Sequence, residues 1–166
     1  MKGLIDIIKN IFRKKMEVKP MKAVEIAYYL IALAREKGFS ITNLKLQKML
    51  YFIQREEIRN GRVAFEDRIE AWQYRPVIPN VYYRFAGYGP ISIVLDINSR
   101  DIIMQEDTKI SVDKIFEEYI GQNVWNMVDE THIKGNAWVI ASDRGYKSEI
   151  RVDDIRREIG ALNNVG

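Results

Sequence analysis

Apolar residues recur at helical spacing along most of the chain and alternate at strand spacing in its middle third, which predicts a mainly helical fold with a small strand region. Residues 3 to 15 set Leu4, Ile7, Ile8, Ile11 and Phe12 on one face with Lys9, Arg13 and Lys14 elsewhere, a short basic amphipathic helix that Lys19-Pro20 ends. After Pro20 a helix over 22–37 buries Val24, Ala27, Leu30, Ile31 and Ala34 and stops at Gly38. Thr42 is placed to cap the next helix, whose stripe Leu46, Met49, Leu50 and Ile53 faces the core until Asn60-Gly61. Ile69, Ala71 and Gln73 then alternate with Glu70, Trp72 and Tyr74, a short strand that Arg75-Pro76 breaks. Pro79 starts a brief helix with Val81, Tyr82 and Phe85, and Gly87-Tyr88-Gly89-Pro90 is a loop. Ile91, Ile93, Leu95 and Ile97 alternate as a half-buried strand, and a second extended piece at Ile102 to Met104 is placed to pair with it through Asn98-Ser99.

Helical periodicity returns at Val112, Ile115, Phe116, Tyr119 and Ile120, closed by Gly121. A further helix fits Val124, Met127 and Val128 leading into Thr131-His132, and Ile150, Val152, Ile155 and Ile159 suit a C-terminal helix over 152–162. The expectation is a compact, single-domain, mainly α (α+β) fold with its strands around 66–104. It divides into an N-terminal basic helix, residues 1–20, and the domain proper, residues 21–166.

Length supports this reading, since 166 residues bury about two-thirds of their unfolded surface in one core without disulfides. The chain has no cysteine, which removes thiol catalysis and thiolate metal sites and fits a reducing compartment. No apolar run is long enough for a bilayer span, and Asp6 and Lys9 interrupt the stretch where a signal peptide needs continuity, so a cytoplasmic protein is expected. The net charge of +3 is unevenly placed. Lys2, Lys9, Arg13, Lys14, Lys15 and Lys19 face only Asp6 and Glu17 in the first 20 residues, leaving the remainder at −1. A domain with that balance offers phosphate backbones no long-range attraction, so nucleic acid and membrane surfaces are not expected as its partners.

Three motifs stand out of the periodic background. NLKLQKMLYF at 43–52 places Lys45, Gln47 and Lys48 between core positions, EAWQYRPVIPNVY follows at 70–82, and THIKGNAW at 131–138. In this order, and over residues 23 to 159, the triplet resembles the Panacea domain family, whose members are SocA-like or phage-associated. This chain carries Arg75 where the family usually has glycine, Ala137 where proline is common, and Glu130 where an apolar residue often precedes Thr-His. The resemblance implies an antitoxin of a toxin–antitoxin or prophage-associated system, which binds and neutralises a cognate toxin protein, or a protease adaptor that delivers the toxin for degradation. It also implies a structural lock at His132 and Trp138, whose six-residue separation lets the indole fold back under the imidazole.

The residues themselves offer few routes to chemistry. His132 is the only histidine and cannot by itself hold a metal, and no serine lies in a nucleophile-elbow context, so neither metal nor cofactor is expected and a small His132-dependent enzyme is the lesser alternative. Lys45 and Lys48 share a helix face with Thr42, and no glycine-rich phosphate loop accompanies them; a solvated or capping role is expected. The stretch with Trp72, Tyr74, Tyr82, Tyr83 and Tyr88 interleaved with Arg75 and Arg84 has the composition of a protein-binding hot spot, with part of it serving the core. The apolar stripe around Ile8 and Phe12 has to be covered by the domain, a second copy or a partner, and a partner-facing or self-associating role is favoured. A membrane or nucleic-acid adaptor led by residues 1–15 is the remaining alternative.

Overall fold

The computed structural model describes residues 3–9, 20–73, 75–133 and 135–164. The helices are α1 (3–9), α2 (Ala23–Glu36), α3 (Asn43–Arg59), α4 (Pro79–Arg84), α5 (Glu106–Tyr119), α6 (Val124–Thr131), α7 (Ala137–Ser142) and α8 (Val152–Asn163), and the strands are β1 (Glu70–Trp72), β2 (Arg75–Val77) and β3 (Ser148–Glu149). The mainly α class follows directly from the periodic stretches, and helix ends fall where turn chemistry placed them. Gly38 and Gly61 adopt φ of +75° and +78°, the left-handed conformation in which the following amides, Phe39 N–H and Arg62 N–H, reach back to Ala34 and Glu57 carbonyls. Thr42 Oγ1 accepts from Lys45 N–H at the start of α3. The first turn of α2 is capped by carboxylates, with Glu25 accepting from Lys22 N–H and Asp67 from Ala23 N–H.

Helix α3 is the axis of the molecule. Elements α2, α4, α5, α6, α8 and β2 all pack on it, so its whole circumference is covered. Leu46, Met49, Leu50 and Ile53 are each fully buried as the periodicity requires, contributing about 1.5–3 kcal/mol apiece. So are Gln47, Lys48 and Glu57, which an amphipathic reading assigns to solvent. Each has a partner from a distant part of the chain: Glu57 accepts from Ser111 and Thr108 on α5 and from Arg62.

The sheet is a three-stranded antiparallel ribbon in the order β2-β1-β3. Arg75-Pro76 turns the chain into β2 rather than ending the extended structure. The register pairs Ala71 with Pro76 and Trp72 with Arg75. Pro76 is tolerated because β2 is an edge strand, where its missing N–H deprives no neighbour. The third strand comes from Ser148–Glu149, outside the 66–104 stretch that holds the hairpin. Residues 91–97 do alternate, with Ile93 buried and Val94 exposed, but they run extended beside Ile41 and Thr42 through single contacts instead of pairing with 102–104. In α1 the side chains of Leu4, Ile5, Ile7 and Ile8 are exposed; Ile11 and Phe12 lie outside the described residues. No helix among the described residues is long and apolar enough to cross a membrane.

Candidate functional site

The three sequence motifs meet around α3, and hydrogen bonds join them pairwise. Gln47 Oε1 accepts from Ile78 N–H at 2.8 Å, and its amide nitrogen donates to Asn43 Oδ1, while Asn43 Nδ2 donates to the Tyr82 carbonyl. The first motif thereby grips both ends of the segment that forms α4. Lys48, wholly buried, donates to Thr131 Oγ1 at 2.7 Å, tying the first motif to the third. Trp138 Nε1 donates to the Trp72 carbonyl at 3.0 Å, tying the third to the second. The exposed face carried by the hairpin and α4 is therefore set from beneath by motif side chains.

That face is aromatic. Trp72, Tyr82 and Tyr83 form a mutual cluster with ring centroids 5.0, 6.0 and 5.4 Å apart for Trp72–Tyr82, Trp72–Tyr83 and Tyr82–Tyr83. Tyr83 is 61% exposed. The guanidinium of Arg75 stands 5.8 Å from the Tyr82 ring, and the ammonium of Lys147 lies 4.4 Å from the Trp72 ring and 5.4 Å from that of Tyr146. Lys147 holds φ of +59°, which is costly for a residue with a Cβ and here accompanies the placement of its ammonium over the indole. Two shallow pockets adjoin at Gln73 on the hairpin: one of about 330 Å³ bordered by Trp72, Trp138 and Tyr146, and one of about 230 Å³ bordered by Leu44, Arg75, Trp125 and Val128. Trp125, 65% exposed, forms the rim of the second.

Other residues of the aromatic stretch turn elsewhere. Arg84 donates to the Tyr28 hydroxyl, Tyr28 packs edge-on to Phe85, and Tyr88 donates to the Val94 carbonyl, so Arg84 and Tyr88 fasten α4 and its following loop to the body. Tyr74, like Phe12, lies outside the described residues. Ile8 is on α1, and its side chain is exposed. Sequence reasoning passed over Trp125, Tyr146 and Lys147. For Trp125 a signal was available: Val124, Met127 and Val128 make the apolar stripe of α6, and an indole off that stripe points away from the core.

A second, buried network joins α3, α6 and α8. Glu158, wholly buried on α8, accepts from Tyr51 (2.5 Å), Arg55 (2.9 Å) and Ala137 N–H (2.9 Å), and Arg55 also reaches Glu130 at 2.5 Å. Glu130 accepts in turn from Tyr119. Burial first, then the Glu158 charge, raises the Tyr51 hydroxyl well above its ordinary range, so it stays a donor at any physiological pH. For Lys48 the expected solvated position is wrong. Its ammonium is enclosed, and burial, with Arg75 as a neighbouring cation, pushes its pKa down to about 7. Lys45 does cap: its ammonium donates to the Ile120 and Gln122 carbonyls beyond the end of α5.

His132 Nδ1 donates to the Val128 carbonyl at 2.6 Å, and its ring sits edge-on to Trp138 with centroids 4.2 Å apart, the contact that the six-residue spacing suggested. Its Nε2 is buried without a hydrogen bond, which assigns no nucleophile or carboxylate to the ring. No group of three potential metal ligands occurs among the described residues.

The Antitoxin SocA-like, Panacea domain family matches residues 46–139, a span that holds most of α3, the hairpin, the Trp72–Tyr82–Tyr83 cluster and the Lys48–Thr131 bond. The chain belongs to that family. Antitoxin SocA of Caulobacter vibrioides (strain NA1000 / CB15N) is 29% identical to it over 72% of this chain and 70% of its own length. No solved structure matches the chain. The Panacea match stops just beyond Trp138, so Glu158 and the Tyr146–Lys147 edge of the aromatic face come from the segment that follows it.

Proposed function

We propose that this Panacea domain protein is an antitoxin that binds a cognate toxin protein and neutralises it through the aromatic face of Trp72, Tyr82, Tyr83, Tyr146 and Lys147. Family membership supports the antitoxin role, and the observation that supports the location is a cluster of Trp, Tyr and cationic side chains in which Tyr83 and Tyr146 are exposed and whose backbone is hydrogen-bonded to Gln47, Asn43 and Trp138. Such residues supply large contact area at low entropic cost and dominate protein-binding hot spots. Binding needs no chemistry from His132, whose Nδ1 is committed to a backbone carbonyl.

The test is co-expression with each protein encoded beside it that arrests growth when expressed alone. Growth returns with the full chain and fails to return with a Tyr83→Ala, Tyr146→Ala double variant that retains the parent's circular dichroism, because both side chains are exposed and carry little of the fold. Full rescue by the double variant would remove the aromatic face from the reading. Continued arrest with the unaltered chain against every adjacent gene product would remove the antitoxin role.

A further inference from the structure

We infer that the smaller pocket, bordered by Arg75, Trp125, Leu44 and Val128, is a receptor for a carboxylate side chain presented by the protein partner; this rests on the antitoxin reading for the identity of that partner. The starting observation is an unbalanced guanidinium. Arg55, Arg62 and Arg144 each meet a carboxylate within 2.9 Å, as half-buried arginines normally do. Arg75 meets none. Its Nε is buried without a hydrogen-bond partner, and its guanidinium stands 5.8 Å from the Tyr82 ring.

The surroundings reinforce the sign. Lys48 is fully enclosed close enough to Arg75 for the two cations to repel, and Thr131 is its hydrogen-bond partner. The nearby carboxylate of Glu130 is already engaged by Arg55 and Tyr119. A planar two-oxygen anion entering the pocket would give Arg75 the fork-shaped pairing that its geometry favours and would offset the repulsion from Lys48.

Size and walls narrow the ligand. About 230 Å³ accommodates one side chain and not a nucleotide or cofactor. Leu44 and Val128 offer apolar walls for the methylenes of a glutamate, and the exposed Trp125 indole can close over them. A phosphate backbone is disfavoured because residues 21–166 carry a net charge of −1, leaving no wider positive field to draw a polyanion in. The pocket shares Gln73 with the pocket beside Trp72, so an acidic side chain seated here belongs to the same partner that covers the aromatic face.

The experiment has one arm that needs no toxin. The Arg75 Nε–H resonance of the ¹⁵N-labelled full chain, assigned by its loss in Arg75→Gln, is followed while N-acetyl-glutamate α-amide, its glutamine counterpart or inorganic phosphate is added. A saturable downfield shift with the glutamate compound in the millimolar range, absent with the glutamine compound and weaker in Trp125→Ala, is expected. No saturable shift with the glutamate compound, or tighter binding of phosphate, overturns the assignment. In the second arm, Arg75→Gln weakens toxin binding by about 10- to 100-fold, the range for one charge-assisted hydrogen-bonded pair, with partial recovery in Arg75→Lys. Unchanged toxin affinity in Arg75→Gln also overturns it. A chain that takes up the glutamate compound but binds no toxin would overturn the antitoxin reading and, with it, the identity of the partner, while leaving a carboxylate pocket in place.

Discussion

Replacing Glu158 with alanine should be the most damaging single change in the buried network. The carboxylate is wholly enclosed and accepts three hydrogen bonds, from Tyr51, Arg55 and the backbone of Ala137. Removing one member of a buried ion pair costs about 3–5 kcal/mol, and Arg55 keeps Glu130, so the lower end applies to the charge. The Tyr51 hydroxyl and Ala137 N–H lose their acceptor as well, adding about 1 kcal/mol each. The total, about 5 kcal/mol, approaches the whole stability of many domains of this size. It should appear in urea unfolding as a lower midpoint with an unchanged slope, and thermally as a drop of about 10–20 °C. Glu158→Gln keeps one oxygen acceptor and should lose less, about 2 kcal/mol. An Arg55→Met, Glu158→Leu double variant should recover only the charge part, about 3 kcal/mol at most, since the pair is replaced together by apolar groups while the Tyr51 hydroxyl and Ala137 N–H stay without their acceptor and the partly exposed Glu130 loses Arg55. A loss below about 1 kcal/mol for Glu158→Ala would refute the reasoning, because it would mean that water reaches the three donors and the network is not buried.

Stability should also rise with pH because of Lys48. Its folded pKa is lowered to about 7 from 10.5, so between those values the unfolded chain binds more protons and each pH unit adds up to about 1.4 kcal/mol. The raised hydroxyls of Tyr51 and Tyr119 oppose this only above pH 10, so unfolding free energies measured from pH 7 to 9.5 should climb, and Lys48→Met should flatten the curve; an equal climb in the variant would contradict the assignment. Trp138→Ala should cost about 2–3 kcal/mol by chemical denaturation, since the indole is only partly buried but closes over His132 and bonds the Trp72 carbonyl; an unchanged midpoint would show that this lock carries no stability. A chain beginning at Met21 should melt within about 2 °C of the parent, because the apolar side chains of α1 are exposed and exposed positions contribute little; a larger fall would make this segment part of the core.

Helix boundaries were legible in the sequence because their causes are local. Thr42, Gly38, Gly61 and Pro79 act within a few residues of themselves, and the 3.6-residue stripes around them did the rest. What escaped was set at long range. Lys48 reads as solvated until Thr131, 83 residues away, is brought against it. The short helix α7 has little periodicity to show, and its first turn is satisfied by Glu158 from another element. The strand at Ser148–Glu149 is too brief to announce itself and exists because β1 offers a free edge. Of the aromatic face, Trp72, Arg75, Tyr82 and Tyr83 could be nominated as a cluster from composition alone. The division between them and Arg84 or Tyr88 depended on which way a six-residue helix turns its sides, and Lys147 entered only through the sheet.

The most direct test of the aromatic face as the toxin-binding surface is calorimetric titration of the cognate toxin into the full chain and two surface variants. Tyr83→Ala removes an exposed ring from the cluster, and Ile103→Ala removes a side chain that is 93% exposed on the unpaired loop before α5. A loss of affinity of about tenfold or more for Tyr83→Ala, with Ile103→Ala indistinguishable from the parent, is expected for a hot-spot residue and a bystander. Equal affinities in all three proteins, or a loss confined to Ile103→Ala, would contradict it.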